Sequence, residues 1–311
     1  MKQIISLIVV FILLVGGYLF VKDLSQPKEF QAPENLTLSN WQEDKFSEII
    51  MQTQASIELK KQDDGNWLVN GFKADPLRMQ TFLPTLSEAK IVSKASTNPN
   101  NHERFDVADG GIKLMLKFID GTEENYIVGK SAGGSSLYVR LTDQDDVYVL
   151  DGPSLSLFNT QISVWRDHKV TSLTEDDIES VQFTNAFNTY TVAIKDGEWN
   201  LDRVGFASLS VLPDKISPWL NKVVKIQAGD FPDQVEIDSK KESQALATIT
   251  LTKKDQEADQ ANLEIWKIYP ASKEGFYLLI REQDQSGFFV SQSTIDDVFP
   301  LYSELRSELV S

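Results

Sequence analysis

Apolar and polar positions fall into three regimes along this 311-residue chain. Residues Ile4 to Val21 are uncharged and almost wholly apolar. At ~1.5 Å per residue the run is about 27 Å long, close to a bilayer core of about 30 Å. Residues 23–44 mix two prolines with many polar side chains and read as a spacer. From residue 45 onward the pattern changes again. Short stretches alternate apolar with polar side chains, as strands do, and are punctuated by turn residues and a few windows of helical spacing.

The third regime repeats itself once. Ile57-Glu-Leu-Lys-Lys leads to Asp64-Gly65-Asn66-Trp67, and Val192-Ala-Ile-Lys leads to Asp196-Gly197-Glu198-Trp199. Asp-Gly between alternating runs is a strong hairpin signal. A helix is predicted from Asp75-Pro76 to about Lys90, with Met79, Phe82, Leu83 and Leu86 on one face. Its counterpart starts at Pro213-Asp214 and carries Ile216, Trp219, Leu220 and Val223. Pro84 and Pro218 predict a break or kink in each. Paired strands follow at Ile112–Phe118 with Glu124–Val128, and at Ala247–Lys253 with Leu263–Tyr269. Further strands are predicted at Leu137–Leu141 and Phe276–Ile280, then at Val147–Leu150 and Phe288–Val290. Each half is expected to close on a helix, Pro153 to Trp165 and Thr294 to Leu305. Ile112, Leu114, Leu116 and Phe118 share one face opposite Lys113 and Lys117, which predicts a sheet with one solvated face.

The expected class is therefore α+β, with an N-terminal transmembrane helix followed by two tandem repeats of a strand-rich, largely antiparallel unit. The predicted organisation is an anchor at 1–22, a spacer at 23–44, and repeats at 45–172 and 173–311. Lys2 before the apolar run predicts a cytoplasmic N-terminus and an extracytoplasmic remainder. A cleaved signal peptide is the alternative, although Gly17-Tyr-Leu-Phe-Val-Lys-Asp offers no cleavage site of the Ala-x-Ala kind.

The Asp-Gly-x-Trp hairpin, the helix start at Ala74-Asp75 and the strand end Val128-Gly129-Lys130 occur in a characteristic order. The pair Tyr138-Val-Arg and Val147-Tyr-Val and the closing Trp165-Arg166-Asp167 continue it. With the apolar start, this order resembles the domain-of-unknown-function 4340 group of bacterial envelope proteins. The resemblance covers most of 45–170 and, more weakly, 175–305, where a matching Arg-Asp is missing. It implies an accessory role in the envelope beside transporter components of the gliding-motility type. It brings no catalytic residues.

Composition narrows the chemistry. Thirty basic against 46 acidic residues give a net charge of −16, which repels phosphate backbones, so nucleic acid is not an expected partner. With no cysteine and only His102 and His168, thiol catalysis is excluded and a zinc site has few ligands. Trp67 and Trp199 could stack on sugars, but their recurrence favours core anchors. Asp167 beside His168 could orient a base, but strand neighbours point to opposite faces, which favours an Arg166–Asp167 ion pair. His102 falls in a polar loop. Asp143, Asp145 and Asp146, and Glu282 and Asp284, resemble calcium loops yet lack the acidic twelfth position. Gly129-Lys130-Ser131 lacks the first glycine of a phosphate loop and leads into a strand.

No catalytic, cofactor-binding or metal-ligating residue is assigned on this basis, and no cofactor is expected. The expected function is that of a non-enzymatic, membrane-anchored binding or scaffold protein at the bacterial inner membrane. Its expected partners are the membrane and envelope or transporter proteins. The alternatives are an extracytoplasmic hydrolase or carbohydrate-active enzyme with paired carboxylates, and a soluble-ligand binding module.

Overall fold

A computed structural model of the chain describes residues 15, 30, 32, 33, 36, 38–254 and 262–310. It divides into two compact units, Met1–Arg166 and Asp167–Ser311.

The first unit is built on one antiparallel sheet. Its strands are β1 (Phe46–Gln52), β2 (Ser56–Lys61), β3 (Trp67–Val69), β4 (Phe72–Lys73), β5 (Lys90–Ser96), β6 (Ile112–Phe118), β7 (Glu123–Gly133), β8 (Ser136–Leu141) and β9 (Val147–Asp151). They lie in the order β4-β3-β2-β1-β6-β7-β8-β9-β5. A helix, α1 (Pro76–Ser87), connects β4 to β5. Asp75 caps it by accepting hydrogen bonds from the amides of Leu77 and Arg78, and Pro76 occupies a position where its missing N–H costs nothing. Met79, Phe82, Leu83 and Leu86 bury its inner face in the main core, with Ile49, Leu59, Leu114, Leu116, Phe158 and Trp165.

The second unit repeats this plan. Strands β10 (Ile178–Asn185), β11 (Thr189–Lys195), β12 (Glu198–Arg203), β13 (Leu209–Ser210), β14 (Ala247–Lys253), β15 (Leu263–Pro270), β16 (Phe276–Arg281) and β17 (Ser286–Ser291) lie in the order β13-β12-β11-β10-β14-β15-β16-β17. Helix α2 (Pro213–Val224) takes the place of α1 and buries Ile216, Trp219, Leu220 and Val223. Three short helices complete the unit: α3 (Gln234–Ser239), α4 (Gln292–Val298) and α5 (Tyr302–Leu309).

The registers of the shared strands correspond between the two units. Leu59 pairs with Val69 as Val192 pairs with Leu201, and the Trp67 carbonyl accepts from the Ala74 amide as that of Trp199 accepts from Val211. The hairpins differ only at their tips. In the second unit Asp196 and Gly197 alone form the turn, both at positive φ (52° and 85°), as a two-residue reverse turn of this hand requires. In the first unit the turn is longer, and Asp64 Oδ1 accepts from the Asn66 amide at 2.9 Å. One element has no full counterpart. β5 pairs with β9 along its length, whereas in the second unit only a single bridge, Asp230 to Phe289, marks that position.

The expected class, α+β opening on a transmembrane helix, is corrected by these observations. The described chain is dominated by two antiparallel sheets and has few helices. None among the described residues is long and apolar enough to cross a membrane. The longest have 12 residues, about 18 Å against a bilayer core of about 30 Å. Apart from Val15, the Ile4–Val21 run lies outside the described residues. The closing segments also differ from a single helix each. Pro153 to Trp165 forms separate 3-10 turns at Leu155–Phe158 and Ile162–Val164. Thr294 to Leu305 is divided between α4 and α5, because Pro300 drives Phe299 out of the helical region (φ −123°, ψ 62°). Conversely, α1 and α2 run through Pro84 and Pro218 without a break.

The opposite faces of the two sheets are partly covered rather than fully solvated. In the first unit Phe105, Val107, Ile127 and Val147 form a small second cluster there. In the second unit Ile237, Tyr269, Leu278, Ile280 and Phe289 do so. Gly129 is what admits the first of these. A Cβ at that position would stand 2.2 Å from the Phe105 carbonyl oxygen and 2.7 Å from Val107 Cγ1.

Candidate functional site

The residues singled out by sequence are placed in structural duty. Trp67 is 7% exposed in the first core, and Trp199 is half-buried against the second. Trp165 is buried edge-on to Phe82 (4.7 Å between ring centres), donates to the Asn159 carbonyl at 2.6 Å, and lies under the Arg78 guanidinium. Arg166 is buried with its guanidinium 3.8 Å above the Phe72 ring. His168 meets the Ala228 carbonyl through Nδ1 at 2.7 Å and packs against Phe231. His102 reaches the Asp145 carbonyl through Nε2 at 2.8 Å, tying its loop to the β8–β9 turn.

The acidic loops are held by cations of the chain itself. Asp146 pairs with Lys94 at 2.6 Å and accepts from the Tyr148 hydroxyl, and these bonds hold its carboxyl below the ordinary aspartate value. Asp284 accepts two bonds from Arg281, and Glu282 pairs with Lys267. Among the described residues no group of three or more His, Asp or Glu could hold a metal ion. Lys130 lies within β7, followed by the Gly133-Gly134 hairpin tip rather than a helix.

A constellation missed by sequence is duplicated instead. Glu124 on β7 accepts at Oε2 from the Tyr126 hydroxyl (2.6 Å) and from Trp41 Nε1 (2.8 Å). Glu264 on β15 accepts from Trp266 Nε1 at Oε1 (2.8 Å) and from the Thr171 hydroxyl at Oε2 (3.0 Å). In both, an aromatic two residues on shares the strand face, and a second donor arrives from the segment leading into the unit. Burial and the bond to Glu124 push the Tyr126 hydroxyl far above its ordinary pKa. Every carboxylate oxygen named here faces a donor, so the arrangement is a structural clamp.

The remaining concavity is different in kind. In the second unit a cavity of about 350 Å³ opens between the β10–β11 turn and the segment joining α4 to α5. Phe183, Ile268, Ile295 and Phe299 give it apolar walls, with Phe183 and Phe299 stacked at 5.5 Å. Asp296 and Glu304 add two carboxylates. Burial, with a smaller contribution from Asp296, holds the lining Tyr277 above its ordinary pKa. Asn188 lines this space, is only 7% exposed, and among the described residues has no hydrogen bond at either Oδ1 or Nδ2. A neighbouring buried hydroxyl, that of Tyr190, is likewise unpaired. Buried polar groups are nearly always satisfied, so this carboxamide is available to a partner from outside the chain. Leu246 and Leu301 are exposed apolar residues of the cavity lining. In the first unit the register places Ala55, which has no polar side chain, at the position of Asn188. Asn188 was unreadable in advance, because an asparagine beside a turn is ordinary in sequence.

A curated relative, the mitochondrial RNA-binding protein RMD9 of Kluyveromyces lactis, is 31% identical over 91 residues, covering 29% of this chain and 14% of that protein. No solved structure matches the chain. The family model described as "Domain of unknown function (DUF4340)" matches residues 67–251. That match runs from Trp67 at the start of β3 to Leu251 in β14 and covers more than half of the sequence, so the chain belongs to the DUF4340 family.

Proposed function

We propose that this protein is a non-enzymatic binding and scaffold protein of the bacterial envelope, accessory to a transporter or envelope-assembly complex. In this reading the first unit is structural and the second recognises a partner. The observation that carries it is the contrast between equivalent turns: the first has Ala55 where the second has Asn188, whose buried, unpaired carboxamide lines a cavity. The reading assigns no catalytic residue, and the loop carboxylates Asp146, Glu282 and Asp284 are each paired with a cation. Nucleic acid is not the partner, given a net charge of −16.

The test is site-specific photo-crosslinking in cells producing the full chain. A crosslinker at Leu301, on the cavity rim, should capture envelope or transporter proteins. One at Ile119, which is exposed in the first unit, should not. Equal capture from both positions, or none from Leu301, would remove the proposal.

A further inference from the structure

We infer that the cavity beside Asn188 binds an extended peptide segment of a partner protein, in which an apolar side chain is followed by a lysine or arginine. The inference rests on the binding reading above and names the chemistry of the occupant.

Asn188 supplies the first part of the argument. A carboxamide carries an acceptor and a donor side by side, the complement of the C=O and N–H of a peptide group. Both atoms are unpaired and buried. Leaving them so costs stability that a two-point contact with a peptide group would recover. The walls supply the second part. Phe183, Ile268, Ile295 and Phe299 form an apolar floor, in a space within the ~300–1,000 Å³ of ordinary ligand sites. One branched aliphatic side chain would bury its apolar surface there.

Charge supplies the third. Asp296 and Glu304 line the cavity and carry no salt bridge to a lysine or arginine among the described residues. They favour a cation on the occupant, as does the acidity of the whole chain. The exposed Leu246 and Leu301 would cover the flanking backbone and exclude water from the central contact, as the rims of protein interfaces do.

The probes are three capped dipeptides: N-acetyl-Leu-Lys-amide, N-acetyl-Leu-Glu-amide and N-acetyl-Ser-Lys-amide. Each is titrated against the full chain, with binding followed by shifts of assigned backbone amide resonances at residues 185–189 and 296–304. The Leu-Lys probe should shift these resonances. The other two should bind at least tenfold more weakly. Asn188→Leu removes the unsatisfied group, so this variant should fold at least as stably as the parent while losing tenfold or more in affinity for Leu-Lys. Asn188→Asp, which keeps the shape and loses the amide donor, should also lose affinity.

Equal affinity of the parent and Asn188→Leu, equal binding of all three probes, or no binding by any of them would overturn the inference. The proposed function fails separately. Crosslinks from Leu301 without peptide binding would sink only the peptide, and peptide binding without crosslinks to envelope proteins would sink only the envelope role.

Discussion

Glu124 and Glu264 are the same residue of a repeated design. Each faces a leucine across the central hairpin, Leu116 and Leu251 respectively, and each accepts from the aromatic side chain two residues further along its own strand. The second copy is tighter. Glu264 is 8% exposed, and its other oxygen is taken by Thr171.

Glu264→Gln turns one acceptor into a donor that faces Thr171 or Trp266. A buried donor left unsatisfied costs roughly 1–3 kcal/mol, and the variant should lose about that much stability in urea unfolding. Glu124→Gln should lose less, because its site is more open to water. Equal stabilities of parent and Glu264→Gln would mean that the clamp contributes nothing.

The two tryptophans of the hairpins should separate in energy although they match in position. Trp67→Ala empties a buried site and should cost roughly 3–5 kcal/mol. Trp199 is only half-buried, so Trp199→Ala should cost clearly less. Chemical denaturation monitored by far-UV circular dichroism checks the difference, and a larger loss at Trp199 would reverse the assignment of which hairpin carries more of its core.

Gly129→Ala places a methyl group against the Phe105 carbonyl and Val107. That backbone must move, at a cost of roughly 1–3 kcal/mol typical of overpacking. The His102 contact with Asp145 lies on the same loop and should weaken with it. Faster amide hydrogen exchange over 99–107 in the variant, with α1 unchanged, is the expected pattern.

The Lys94–Asp146 pair predicts a defined response to pH. Its hydrogen bond holds the Asp146 carboxyl below 3.8 and raises the Lys94 ammonium above 10.5. A depressed carboxyl stabilises the fold above its unfolded value and loses that contribution as pH falls through the lower, folded one. A raised amine does the opposite at alkaline pH. The difference in stability between the parent and Asp146→Asn should therefore hold from about pH 5 to pH 9 and shrink below about pH 4. Unfolding midpoints measured from pH 2 to pH 9 test this, and a difference that grows in acid would contradict the pairing.

Local features were legible in the sequence, and features made by distant chain were not. Asp196-Gly197, the Asp75-Pro76 helix start and the alternation in Ile112–Phe118 are written within a few neighbouring residues, and each forms as its pattern predicts. The Glu264 clamp is invisible because Glu-x-Trp in a strand looks like an ordinary polar–apolar alternation. What buries it is Thr171, 93 residues earlier in the chain. Asn188 is hidden in the same way, by the segment around Phe299 and Leu301. The break between α4 and α5 is set by Pro300, a local signal that the apolar spacing of Thr294 to Leu305 masks.

The centre of each sheet has a consequence for folding. β1 pairs with β6, and β10 with β14, across loops of about 60 residues, while most other pairings join strands close in sequence. Hairpins on either side can form in about 1–10 μs, yet an isolated hairpin is marginal in water. Closing a loop of that length costs about 4 kcal/mol of chain entropy before the central strands gain anything. Neither wing of a sheet is secure until the seam shuts, which makes that seam the kinetic bottleneck of its unit. A substitution at Ile49 or Val181, in the middle of the seam, should slow refolding, whereas one in the outer hairpins should chiefly hasten unfolding.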